Sequence, residues 1–157
     1  MKIRRATKDD WPAFAEMWKE FLTENLASGA DMLPTDKTMK FYQDIFNSYD
    51  SGEVRGVALM ADDAGVLLWG APAAVLAFDT RNDPFAFGWG TYVRPDHRGK
   101  SLSTELRNTA KKILLDMEFR RLVGGTAVNN EQGIATVISL GFEPTAMQWV
   151  LELKGDA

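Results

Sequence analysis

The residues best equipped for chemistry lie in one short run, R-P-D-H-R-G-K-S-L-S-T, at positions 94–104. It holds Arg94, Arg98 and Lys100, with Gly99 between the last two and the hydroxyls of Ser101, Ser103 and Thr104 close behind. Such a turn can grip an anion. Backbone N–H groups without acceptors gather at a helix start, the helix dipole adds positive potential there, and the basic side chains add full charge. A phosphate or pyrophosphate fits that description. A solvated helix start with hydroxyl caps is the plainer reading of the same residues.

Gly-Lys-Ser also ends a Walker A loop. That loop needs a glycine five residues before Gly99, but the position holds Arg94, followed by Pro95, whose nitrogen carries no hydrogen. Too little chain follows Ser101 for the parallel strands of such a core, and no apolar strand ends in a magnesium-binding acid. A Walker nucleotide site is disfavoured.

Composition removes other chemistries. The chain has no cysteine, which excludes disulfides, thiolate metal sites and a cysteine nucleophile. Its single histidine, His97, excludes a histidine-rich cluster, so no metal is expected. The net charge of -4 argues against a general basic face for nucleic acid. The N-terminus is charged without an apolar leader, and no run reaches membrane-spanning length. The expectation is a cytoplasmic protein without nucleic-acid or membrane partners. With 157 residues, 45% of them hydrophobic, one domain over 1–157 can bury a sizeable core.

The elements that must carry the basic turn follow from periodicity. Residues 2–7 read as a short strand. Residues 9–25 open on acids with Pro12 in the first turn, and Trp11, Phe14, Trp18, Phe21 and Leu22 recur at helical spacing. Residues 27–36 break that helix. A second amphipathic helix over 37–49 carries Met39, Tyr42, Ile45, Phe46 and Tyr49. Strands are expected over 54–61 and 65–71 around a D-D-A-G turn, continuing over 73–78. In the strand 85–93, alternation puts Phe85, Phe87, Trp89, Thr91 and Val93 on one face and Ala86, Gly88, Gly90 and Tyr92 on the other. Two glycines inside a strand mark a bulge or a close backbone approach.

A helix face follows through Leu102, Leu106, Ala110, Ile113, Leu114 and Met117. Then come a strand over 120–128, a short helix over 131–140 ended by Gly141, and a strand pair over 142–147 and 149–153. The order implies an α+β (mixed α/β) fold with one mixed sheet of about seven strands and about four helices on its two faces.

Residues 92–112, Y-V-R-P-D-H-R-G-K-S-L-S-T-E-L-R-N-T-A-K-K, resemble the cofactor motif of the GNAT superfamily of N-acetyltransferases. In that family a valine-ending strand leads through Arg/Gln-x-x-Gly-x-Gly/Ala into a helix. Farther on, N-N-E-Q-G-I-A-T-V-I-S-L-G-F resembles the family's second motif, an asparagine followed by a helix ending in Gly-Phe. The element order is similar over essentially the whole chain.

The resemblance implies acetyl-CoA as acyl donor and direct transfer to a primary amine of a small molecule or peptide. It assigns Tyr92, Val93 and Arg94 to the strand end that pairs with the pantetheine arm. Arg98, Gly99, Lys100, Ser101, Leu102 and Ser103 match the pyrophosphate loop, and Asn130 matches the asparagine near the pantetheine arm. It further implies that the fourth and fifth strands splay apart, with Gly88 and Gly90 on the splaying strand. A homodimer is compatible with it. The alternative is a GNAT-fold module that binds CoA or a protein partner without turnover.

Three positions depart from the family pattern. Ser101 and Ser103 stand where loop glycines are usual. Val137 replaces the tyrosine that protonates the departing thiolate. No Asp or Glu lies between Phe85 and Val93 to act as base. Tyr92 and Ser139 are then the substitute catalytic hydroxyls, and Asp79, Glu143 or a water chain the candidate bases. A strand N–H near Tyr92 would polarise the thioester carbonyl. His97 reads as a loop residue or CoA contact. Trp69, Trp89, Trp149, Phe41 and Tyr42 make the acceptor region aromatic, although core packing explains most such residues. Glu24, Asp31 and Asp36 form an acidic set near the helix break.

Overall fold

The computed structural model describes residues 1–27, 33–72, 85–147 and 149–153. Five strands form one sheet in the order β1 (Ile3–Arg5), β2 (Gly56–Ala61), β3 (Gly65–Gly70), β4 (Phe85–Val93) and β5 (Arg121–Gly124). The first four are antiparallel in sequence, and β5 runs parallel to β4. The helices are α1 (Trp11–Ala27), α2 (Asp36–Ser51), α3 (Leu102–Asp116) and α4 (Glu131–Ser139).

The central strands explain the layering. β2 and β3, G-V-A-L-M-A and G-V-L-L-W-G, are buried at every position. Strands that are apolar on both faces need cover on both. On one face α1 and α2 bring Phe14, Met17, Trp18, Tyr42 and Phe46 against Met60, Val66, Leu68 and Tyr92. On the other, α3 brings Leu102, Leu106, Ala110 and Leu114 against Leu59, Leu67, Ala86 and Val93. At about 25 cal/mol per Å² of apolar surface, these layers dominate the stability.

α2 has clear stops. Thr35 accepts the Thr38 N–H at its start, and Gly52 ends it at φ +77°. α4 closes as expected, with Gly141 at φ +90° and Phe142 N–H donating to the Val137 carbonyl.

Three expectations are corrected. Among the described residues the sheet has five strands, not about seven, and residues 142–147 and 149–153 form no ladder. Trp149 is 84% and Leu153 89% exposed. Alternation marks a segment as able to pair, but a strand exists only through hydrogen bonds to a partner, and the described residues supply none there. The strand expected over 73–78 lies outside the described residues, as do Asp31 and Asp79.

The third correction concerns β4. Leu68 pairs with Gly90 and Trp69 with Gly88, so Trp89 is an extra residue without a partner on β3. This is the bulge that the two glycines announced. Strict alternation fails there, because one extra residue exchanges the faces beyond it. Trp89 and Tyr92 lie on the α1/α2 face, whereas Ala86 and Val93 lie on the α3 face. Gly90 meets α1: a Cβ there would fall 2.5 Å from the Phe21 ring and 3.0 Å from Trp18. Only glycine lets the helix seat on the strand at this point.

Candidate active site

The bulge is also where the sheet opens. β4 and β5 pair from Phe85–Arg121 to Gly88–Gly124 and no farther. Trp89 to Val93 therefore present one backbone edge without a strand beside it. The direction of that edge follows from one hydrogen bond. Arg94 N–H donates to the Ala64 carbonyl at 2.8 Å, on the β3 side. Alternation along an antiparallel strand then turns the N–H and C=O groups of Val93 and Thr91 to the open side. An extended amide-bearing chain could pair there as a strand would.

The open edge leads into the basic turn. After β4 come a 3₁₀ turn over Pro95–His97, an extended Arg98, and Gly99 at φ +77°. Ser101 takes the left-handed conformation, φ 65°, immediately before α3. Left-handed backbone disfavours any side chain by about 1 kcal/mol or more, which accounts physically for glycine being usual at this position. Among the described residues no acceptor bonds the N–H groups of residues 99–104. They sit at the positive end of α3 beside Arg98 and Lys100, and an anion there would satisfy them.

Side chains tie the loop to its surroundings. Arg98 donates Nε to the Val93 carbonyl at 2.8 Å and Nη2 to Glu24 Oε2 at 2.6 Å. Its guanidinium also lies 5.6 Å from the centre of the Tyr92 ring. Arg94 faces α1 instead, donating to Glu20 at 3.0 Å and to the Asp63 carbonyl at 2.8 Å. Its N–H is taken by Ala64, so its contribution to the open edge is structural. Arg107, one turn behind the loop, donates to Ser103 Oγ at 2.6 Å, and burial pushes its pKa down.

Val93 and residues 98–103 thus meet at one end of the opening, with the Tyr92 ring beside Arg98. Asn130 caps α4, its Oδ1 accepting the Gly133 N–H at 2.9 Å. Ser139 donates its hydroxyl to the Thr136 carbonyl on an exposed turn of α4. Tyr92 is buried beneath Phe21, and burial first, then Glu20 and Glu24, raises its phenol pKa.

Sequence reasoning missed the setting of Trp89. Its Nε1 donates to Tyr49 Oη at 2.9 Å, and Tyr49 donates to the Ala71 carbonyl at 2.8 Å. Gly-Trp-Gly in a strand was the available signal.

The model of the acetyltransferase (GNAT) family matches residues 11–142. The chain belongs to the GNAT acetyltransferase family. No curated protein matches it significantly. Solved GNAT-fold structures are similar over the full length. A mutant of protein BH1408 from Bacillus halodurans superposes with a TM-score of 0.77 at 15% identity, covering 98% of this chain and 100% of that one. An aminoglycoside antibiotic 6'-N-acetyltransferase from Acinetobacter haemolyticus gives 0.70 at 19% identity, covering 99% and 100%. An aminoglycoside N-acetyltransferase in complex with CoA gives 0.69 at 16% identity, covering 98% and 95%. These likenesses support the GNAT fold. No helix among the described residues is long and apolar enough to cross a membrane.

Proposed function

We propose that the protein is a single-domain acetyl-CoA-dependent N-acetyltransferase acting on a primary amine. The observation that carries this is the continuity between the opening at Gly88/Gly124 and the loop of unpaired N–H groups at residues 99–104. A pyrophosphate needs such a loop, and a pantetheine arm, with its two amides, needs a strand edge without a neighbour. The CoA complex of a structural neighbour supports the same choice of ligand.

When bound, acetyl-CoA supplies an electrophilic carbonyl carbon and a thiolate leaving group. Residues 99–103 hold the pyrophosphate through backbone N–H groups, with charge from Arg98 and Lys100. Thr91 offers its N–H and C=O groups and Val93 its N–H to the pantetheine amides, the Val93 carbonyl being held by Arg98, and a strand N–H on the same edge polarises the thioester carbonyl. The acceptor nitrogen forms a bond to the acetyl carbon as the carbon–sulfur bond breaks. The proton lost by the amine leaves through water, and a proton returns to the thiolate, giving an acetamide and free CoA. Tyr92 and Ser139 remain candidate donors of that proton, and Asn130 a contact for the arm.

Proximity carries much of the rate in this scheme, since β4 offers no carboxylate base. A second reading, a CoA-binding module without turnover, is favoured by Val137 and by the engagement of the Ser139 hydroxyl with Thr136. Thermal melting tests the ligand. Acetyl-CoA at a hundredfold excess over its Kd stabilises by about 2.7 kcal/mol and raises Tm. ATP with magnesium leaves Tm unchanged. A shift with ATP and none with acetyl-CoA would overturn the proposal.

A further inference from the structure

Trp89 does more than form the bulge. It lies on the α1/α2 face beside the point where β4 leaves β5, so it borders the place where an acceptor must approach the open edge. Its indole is fixed by the Tyr49 hydrogen bond. Phe41 stands nearly perpendicular to it with ring centroids 5.7 Å apart, Phe87 meets it at 67° and 4.6 Å, and Tyr42 backs it at 6.2 Å. Tyr42 is buried, but Trp89, Phe87 and Phe41 are each partly exposed. Trp89 and Phe41 pack at the edge of the α1/α2 core with part of each ring left uncovered. Three rings held at fixed angles and left partly open make a wall for another flat apolar group.

Charge narrows the choice. Polycations are held by carboxylates free to pair with them. The carboxylates along this side of α1 are already engaged: Glu16 and Glu20 with Arg94, Glu24 with Arg98. An aromatic wall also suits the chemistry of an enzyme without a base on β4. Apolar surroundings disfavour an ammonium and lower its pKa, delivering the neutral amine that attack requires.

Resting on the acetyltransferase reading above, we infer that the acceptor is an arylalkyl primary amine. Its ring packs on Trp89, Phe41 and Phe87, and its amine reaches past the bulge to the open edge. Trp89 and Phe41 are specificity-determining residues in this scheme.

The test compares kcat/KM for 2-phenylethylamine and tryptamine with that for spermidine and an aminoglycoside such as kanamycin. The aryl amines are expected to be better by about tenfold or more. Phe41→Ala should raise KM for 2-phenylethylamine about tenfold, with kcat and the KM for acetyl-CoA changed less than twofold. Trp89→Leu, checked for folding by its circular dichroism, should do the same more strongly. Spermidine or kanamycin turned over as well as the aryl amines would overturn the inference while leaving the acetyltransferase reading intact, as would unchanged KM in both variants. Loss of acetyl-CoA consumption with every amine would remove the acetyltransferase reading and this inference together.

Discussion

The guanidinium of Arg98 folds back onto the strand it follows, its Nε 2.8 Å from the carbonyl oxygen of Val93. That carbonyl faces the opening between β4 and β5, so one side chain joins the strand edge to the anion loop. The same guanidinium holds Glu24 of α1. Arg98→Ala removes both the charge and the tie. It should raise the Kd for acetyl-CoA about tenfold or more, the loss of one charge-assisted contact. Arg98→Lys keeps charge without the planar fork and should recover only part of the affinity. Titration calorimetry at two salt concentrations checks both, and the alanine variant should show the weaker salt dependence.

Backbone conformation in the loop gives a second expectation. Ser101 stands at φ 65° and Gly99 at φ 77°, with open space around the Gly99 Cα. Ser101→Gly relieves left-handed strain and should raise stability by about 1 kcal/mol while keeping or improving acetyl-CoA affinity. Gly99→Val puts a branched side chain on left-handed backbone and should weaken both stability and affinity. Denaturant midpoints and calorimetry separate the two effects. Unchanged affinity in Gly99→Val would place the cofactor elsewhere.

How much of this site the sequence disclosed varies by residue. The loop was legible because glycine, lysine and hydroxyl residues before a helix have local consequences for backbone and charge. Gly88 and Gly90 disclosed a bulge but not its register. Whether Trp89 or a neighbour is the extra residue depends on pairing with β3, a contact distant in sequence. The faces of β4 were therefore assigned on strict alternation, which holds for Ala86 but exchanges Tyr92 and Val93. Arg94 sits beside the loop in sequence yet reaches to α1, because alternation turns its side chain to that face. The strands expected over residues 142–153 had the right pattern, and no neighbour in the described structure supplies the hydrogen bonds.

Stability against acid follows from the start of α1. Asp10 receives two bonds from Arg4, each 2.8 Å, and accepts the Thr7 N–H at 2.8 Å. The Arg4 guanidinium and the Thr7 amide hold its carboxyl well below the usual carboxylate range. A carboxyl with a depressed folded pKa contributes its stability above the unfolded value of about 3.9 and loses it as pH falls below that. Because the pair is partly solvated, the contribution is about 1 kcal/mol. Asp10→Asn should lower Tm at pH 7, and the difference from wild type should shrink as pH falls from 5 to 3. Melting curves over that range check it; an equal difference at every pH would contradict the account.

The most direct measurement is thiol release from acetyl-CoA by the purified protein with 2-phenylethylamine as acceptor, with the amine product followed by mass spectrometry. The account predicts free CoA thiol and N-acetylated amine appearing in equal amounts, both dependent on protein and on amine. Thiol release no greater than background with this and every other primary amine, from protein that acetyl-CoA still stabilises against heat, would contradict it.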